Sequence, residues 1–140
     1  MGRILAIDYG TKRTGLAVTD PLRLIAGALA TVETKQLERY LAEYFAKNDV
    51  DVIVVGKPSQ MSGKPSETMR FIEPLAGRLR HAYPEKQVVL YDERFTSVMA
   101  HRTMLESGIG KKARQDKALV DRIAATIILQ SYMESLELQR

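Results

Sequence analysis

Arg3-Ile4-Leu5-Ala6-Ile7-Asp8-Tyr9-Gly10-Thr11-Lys12-Arg13-Thr14-Gly15-Leu16-Ala17-Val18-Thr19 is the stretch on which the reading of this chain turns. Two short apolar runs rich in strand formers, residues 3–8 and 14–19, flank a glycine-bearing turn, a pattern that predicts an antiparallel hairpin. Gly10 and Gly15 are free to take positive φ there. Asp8 closes the first run behind Ile4-Leu5-Ala6-Ile7, so an acid stands where a core strand meets solvent.

Working outward, the Asp20-Pro21 turn leads into a third strand expected over Leu24 to Val32, which completes a meander. The period then changes. Leu37, Tyr40, Leu41, Tyr44 and Phe45 recur at helical spacing behind Thr34, the expected N-cap. Val52 to Val55 reads as a strand buried on both faces and ends at Gly56-Lys57-Pro58. A second helix is expected over Ser66 to Tyr83 with Phe71, Leu75 and Leu79 inward, a fifth strand over Val88 to Tyr91, a third helix from Thr96 or Ser97, and a long helix from Gln115 to Leu136. A meander followed by two right-handed crossovers into parallel strands is the element order of the RNase H-like α/β fold: a mixed five-stranded sheet, order 3-2-1-4-5, flanked by helices.

At 140 residues the chain suits one domain with a real core, and no Pro/Gly/Ser-rich stretch is long enough for a linker, so residues 1–140 are read as a single domain. Cysteine is absent, which removes disulfides, thiolate zinc sites and cysteine nucleophiles together. The first apolar run is too short for a signal peptide and nothing later reaches a membrane span, so a cytoplasmic protein without a membrane partner is expected. The net charge of +4 favours a polyanionic partner. Its placement is more informative. Lys111, Lys112, Arg114 and Lys117 fall close together, and Lys12 with Arg13 sits beside Asp8.

Three acids carry the chemistry. Glu93 ends the fifth strand in Tyr91-Asp92-Glu93-Arg94, at the carboxyl edge where open α/β sheets place their ligands. Asp121 lies inside Ala118-Leu119-Val120-Asp121-Arg122-Ile123-Ala124-Ala125, where an uncompensated charge is costly. Ala124 and Ala125 let that helix approach the sheet, so Asp121 can point across at Asp8 and Glu93. Like charges about 4 Å apart cost roughly 4 kcal/mol at an effective dielectric near 20, and a divalent cation relieves this. Oxygen ligands without Cys or His favour Mg²⁺ or Mn²⁺, and phosphodiester hydrolysis is the chemistry such ions serve. One strand separates the first from the fifth, leaving Asp8 and Glu93 roughly 10 Å apart at the backbone. Asp92 points the other way along the strand, and a bend there would exchange its role with Glu93.

Ile7-Asp8-Tyr9-Gly10-Thr11-Lys12-Arg13-Thr14-Gly15, Val55-Gly56-Lys57-Pro58, Asp92-Glu93-Arg94-Phe95-Thr96-Ser97 and Asp121 with Ala124-Ala125, in that order, resemble the YqgF family of RuvC-like Holliday-junction resolvases, also described as pre-16S rRNA nucleases. The resemblance runs nearly end to end. It implies an RNase H-like fold, a bacterial cytoplasmic location, a nuclease role at the 5′ end of pre-16S rRNA, and catalytic and metal-holding roles for Asp8, Glu93 and Asp121. Lys57-Pro58-Ser59-Gln60-Met61-Ser62-Gly63 departs from the family's loop, which has an apolar residue before its proline and a Leu-Asn-like pair after it.

Plainer readings stand beside these. Asp8 can cap a turn, Glu93 can pair with Arg94 or Arg102, and Asp121 can pair with Lys117 one turn earlier. Lys12, Arg13, Lys57, Arg94, Lys111, Lys112, Arg114 and Lys117 are expected to contact phosphates, with solvated charge as the competitor. Thr96 and Ser97 read as helix caps, and His81 and His101 as surface residues. The expected partner is structured RNA such as pre-16S rRNA, or branched DNA, which would require a dimer presenting two active sites; monomer and homodimer both remain open. A noncatalytic nucleic-acid-binding module is the alternative of another class. An actin-like ATPase, suggested by Ile7 to Thr11, needs a much longer chain.

Overall fold

The computed structural model describes residues 2–57, 69–92 and 117–138. In chain order these form strands β1 (Arg3–Asp8), β2 (Arg13–Thr19) and β3 (Ala26–Glu33), a 3-10 turn (Thr34–Gln36), helix α1 (Leu37–Lys47), β4 (Val50–Lys57), α2 (Met69–Ala82), β5 (Gln87–Asp92) and the long helix α3 (Lys117–Leu138). The five strands make one sheet, order β3-β2-β1-β4-β5, as the element order predicts. β1 pairs antiparallel with β2 and parallel with β4, β2 pairs antiparallel with β3, and β4 pairs parallel with β5.

Strand alternation assigns the two faces. Leu5, Ile7, Leu16, Ile53 and Val55 pack with Leu37, Leu41, Ile72, Leu75 and Leu79, so α1 and α2 cover one face. Ile4, Ala6, Ala17, Val52 and Val54 pack with Ala125, Ile128, Leu129 and Tyr132, so α3 covers the other. The central strands are buried on both faces, which explains why β4 reads as an unbroken apolar run. Each fully buried Leu or Ile contributes about 1.5–3 kcal/mol of transfer free energy, and the small Ala6, Ala17 and Ala125 let α3 lie close to the sheet.

Several local expectations are corrected. Neither Gly10 nor Gly15 adopts the left-handed φ that favours glycine; the non-glycine Arg23, at 59°, does. The third strand starts at Ala26 rather than Leu24, because the Asp20 carboxylate accepts hydrogen bonds from the amides of Leu22, Leu24 and Ile25 and holds them in a loop. Thr34 caps no helix: no side-chain cap bond is made at either helical start, and its hydroxyl is used elsewhere. On α2, Ile72, Leu75, Ala76 and Leu79 are buried, whereas Phe71 is 38% exposed and stacks on Tyr9 at the rim. The buried set follows i, i+3, i+4, i+7 spacing, and Phe71 lies one residue off that stripe. The expected start of α2 at Ser66, the helix from Thr96 or Ser97, and Gln115 fall outside the described residues. His81 is exposed on α2, and His101 is not described. No described helix is long and apolar enough to cross a membrane.

Candidate active site

Asp8 ends β1 opposite Gly15 of β2. Facing residues of an antiparallel pair have Cα atoms about 5 Å apart. Alternation gives Asp8 the parity of Ile4 and Ala6, whose side chains meet α3, so the half-buried Asp8 lies on the α3 face at the carboxyl end of β1.

Asp121 reaches the same place from above. A Cβ on Gly15 would collide with the Asp121 carbonyl carbon at 2.5 Å and meet its Cβ at 3.1 Å, so the first turn of α3 rests directly on Gly15. Only a residue without a side chain permits that approach. The hydroxyl of Thr31, which pairs with Gly15 across β2 and β3, donates to the Ala118 carbonyl at 2.6 Å and fixes the height of this turn. Farther along α3, Tyr91 of β5 hydrogen-bonds Ser131 at 2.6 Å and packs edge-on against Tyr132. Asp121 shares its helical face with Ala125, Ile128 and Tyr132, which meet the sheet.

On the same face stands Arg13, first residue of β2 and of the same parity as Gly15. Its Nε donates to Asp121 Oδ2 at 2.8 Å, the side chains being 39% and 20% exposed respectively. Asp121 is thus paired with a cation from the hairpin; the Lys117 side chain is not among those described. At this exposure the pair contributes about 1 kcal/mol or less. The turn that carries Arg13 is held by Thr34: its amide donates to the Lys12 carbonyl at 3.0 Å, its hydroxyl donates to the Gly10 carbonyl at 2.6 Å, and it shares a 2.8 Å bond with the buried Thr14 hydroxyl. A Cβ on Gly10 would strike the Arg13 carbonyl, so that glycine also serves a close approach.

The structure therefore brings Asp8, Arg13 and Asp121 to one end and one face of the sheet. Lys12 is exposed in the adjoining turn. Lys57 and Asp92 pair with each other at the same edge, but alternation turns both to the α1 and α2 face, away from Asp8. Glu93, Arg94, Lys111, Lys112 and Arg114 lie outside the described residues. Among the described residues there is no group of three or more acids or histidines arranged to hold a metal. Asp8 and Asp121 are two oxygen donors of the kind hard divalent ions take, and they fit such an ion as part of a larger set. Sequence reading missed the positioning roles of Gly15 and Thr34. A glycine inside an apolar strand is a signal of close backbone approach, and Gly15 carried it.

Known proteins resemble this chain along most of its length. A family model described as "RuvX: Holliday junction resolvase" matches residues 2–135. A Bacteroides thetaiotaomicron protein named "Putative pre-16S rRNA nuclease" is 57% identical over 135 residues, covering 96% of this chain and 98% of its own. Relatives carrying the same name come from Parabacteroides distasonis, 52% identical over 139 residues with 99% of each chain covered, and Flavobacterium johnsoniae, 50% identical over 135 residues with 96% and 98% covered. Among solved structures, T. thermophilus RuvC in complex with a Holliday junction substrate superposes with a TM-score of 0.55 at 16% identity, covering 96% of this chain and 98% of that one. That likeness, with the strand order, shows the RNase H-like fold.

Proposed function

Because the chain belongs to the RuvX family, known also as YqgF, we propose that it is a metal-dependent endonuclease that hydrolyses phosphodiester bonds in the 5′ region of pre-16S rRNA, acting in the cytoplasm as one nuclease domain. The observation that carries this reading is the seating of the Asp121 turn on Gly15, the cross-strand partner of Asp8, which puts two carboxylates on one face at the carboxyl edge of β1. Glu93 is the third acid of the proposal. It follows directly on β5, whose Val89 and Tyr91 pack on the α3 side.

In this reading Asp8, Glu93 and Asp121 hold Mg²⁺ or Mn²⁺, which supplies Lewis acidity towards the phosphodiester when bound. Lys12 contacts phosphates beside the cut, and Lys57, Arg94, Lys111, Lys112, Arg114 and Lys117 are the further phosphate contacts of the proposal. These contacts set register and leave sequence unread, which suits a nuclease directed by RNA structure.

The test compares wild type with Asp8→Asn on labelled precursor rRNA and on a four-way DNA junction, each with Mg²⁺, Mn²⁺ or chelator. The expected result is metal-dependent cleavage of the RNA that the substitution abolishes while binding survives. Undiminished cleavage by the variant would overturn the assignment. Cleavage of the junction alone would transfer the same chemistry to branched DNA, with a homodimer as the acting form.

A further inference from the structure

The Arg13–Asp121 pair joins a base expected to contact phosphate to an acid proposed to hold metal, and one guanidinium serves both only if it changes partners. We infer that Arg13 is a built-in counter-ion of the carboxylate site: it occupies Asp121 until nucleic-acid phosphate draws it away, so that divalent metal and nucleic acid bind cooperatively. The inference rests on the reading of Asp121 as a metal-holding residue.

Three observations support the exchange. First, Arg13 Nε donates to Asp121 Oδ2 at 2.8 Å, and a guanidinium at that distance repels any divalent ion that would share the carboxylate. Second, the backbone beneath Arg13 is fixed. Thr34 bonds the Lys12 and Gly10 carbonyls, Arg13 is paired with Glu33 in the sheet, and its own carbonyl abuts Gly10, so a change of partner is confined to the side chain. Third, the Arg13 side chain is 39% exposed while that of Asp121 is 20% exposed, so the base of the pair meets solvent more than the acid and lies on the side from which a phosphate arrives. A phosphodiester, like a carboxylate, accepts two parallel N–H bonds from the guanidinium fork, and a nucleic-acid strand presents several such groups in succession.

Without nucleic acid, the inner carboxylate is neutralised by Arg13 and divalent metal competes with it. With nucleic acid, the guanidinium moves to phosphate and Asp121 becomes available to the ion. Linkage then requires that metal tighten nucleic-acid binding by the same factor as nucleic acid tightens metal binding.

Mn²⁺ binding, followed by the paramagnetic resonance of the free ion, tests this in wild type, Arg13→Gln, Arg13→Ala and Asp121→Asn, each with and without a 2′-O-methyl RNA hairpin. Gln keeps a donor for Asp121 while removing the charge, so the measurement stands if the alanine variant fails to fold. We expect the hairpin to tighten Mn²⁺ binding in wild type. Removing the Arg13 charge should tighten it about fivefold in protein alone and erase the hairpin's effect. A purely structural ion pair would change thermal stability and leave Mn²⁺ affinity as in wild type; that outcome, with Asp121→Asn weakening Mn²⁺, overturns the counter-ion role and spares the role of Asp121. Unchanged Mn²⁺ affinity in Asp121→Asn removes the reading of Asp121 itself, and the inference with it.

Discussion

Gly15 and Asp121 touch through their backbones: the carbonyl of Asp121 fills the space where a side chain on Gly15 would stand. Because Gly15 faces Asp8 across the β1–β2 ladder, this contact fixes how near α3 brings its acid to the acid of β1. The Arg13 guanidinium bridges from the same hairpin to Asp121. Precision at the site depends on a missing methyl group, and the consequences can be measured.

Gly15→Ala should lift the first turn of α3 off the sheet, because the obstructing atoms are backbone and cannot rotate aside. The overpacking is expected to cost about 1–3 kcal/mol, read as a lower midpoint in urea unfolding. Cleavage of precursor rRNA should fall well beyond the loss of folded protein. A variant as stable and active as wild type would contradict the packing described for Gly15.

Thr34→Val keeps the shape of the side chain and removes its hydroxyl, taking away the donor to the Gly10 carbonyl and the partner of Thr14. Thr14 is fully buried, so its hydroxyl loses this partner where water does not replace it. The expected loss is about 1–3 kcal/mol, and Thr34→Ser should recover most of it. Equal stability of the valine and serine variants would show that the hydroxyl does not hold the turn.

Asp20 makes the β2–β3 loop sensitive to acid. The Ile25 amide, with those of Leu24 and Leu22, holds its carboxyl below the usual carboxylate range, against the opposing effect of desolvation. A carboxyl depressed in the folded state stabilises the fold above its unfolded value, and that contribution is lost as pH falls through the folded one. Wild type should therefore lose melting temperature more steeply than Asp20→Asn as pH drops below about 4. Parallel pH profiles for the two proteins would refute the linkage.

Lys12→Ala should weaken binding to RNA of any sequence alike, since a phosphate contact carries no base information. The slope of log affinity against log salt should shrink by about 1. An unchanged slope would show that Lys12 is only a solvated charge in the turn.

The hairpin, the change to helical period after Thr34, and the unbroken apolar run of β4 are legible because they are local repeats: periods of two or 3.6 residues show in a short window. Strand order followed, since short connections and right-handed crossovers leave few topologies. Asp121 stood out as an acid in an apolar helix. Less was legible where one polar side chain overrides propensity. Leu24 and Ile25 read as strand, yet the Asp20 carboxylate takes their amides into a loop; Thr34 read as a cap, yet it serves a turn far behind it in the chain.

From its own pattern, then, the chain specified which segments become strands and helices, which faces they bury, and that Asp8 closes a core strand. What tertiary structure alone decided is the choice of partners: Arg13 with Asp121 across 108 positions of sequence, and a glycine seat for a helix carbonyl. Periodicity records which side of an element is apolar, a property of neighbouring residues. Which charge meets which is settled only when distant elements pack at a fixed height, because the interaction acts over a few ångströms and leaves no repeat in the sequence to be read.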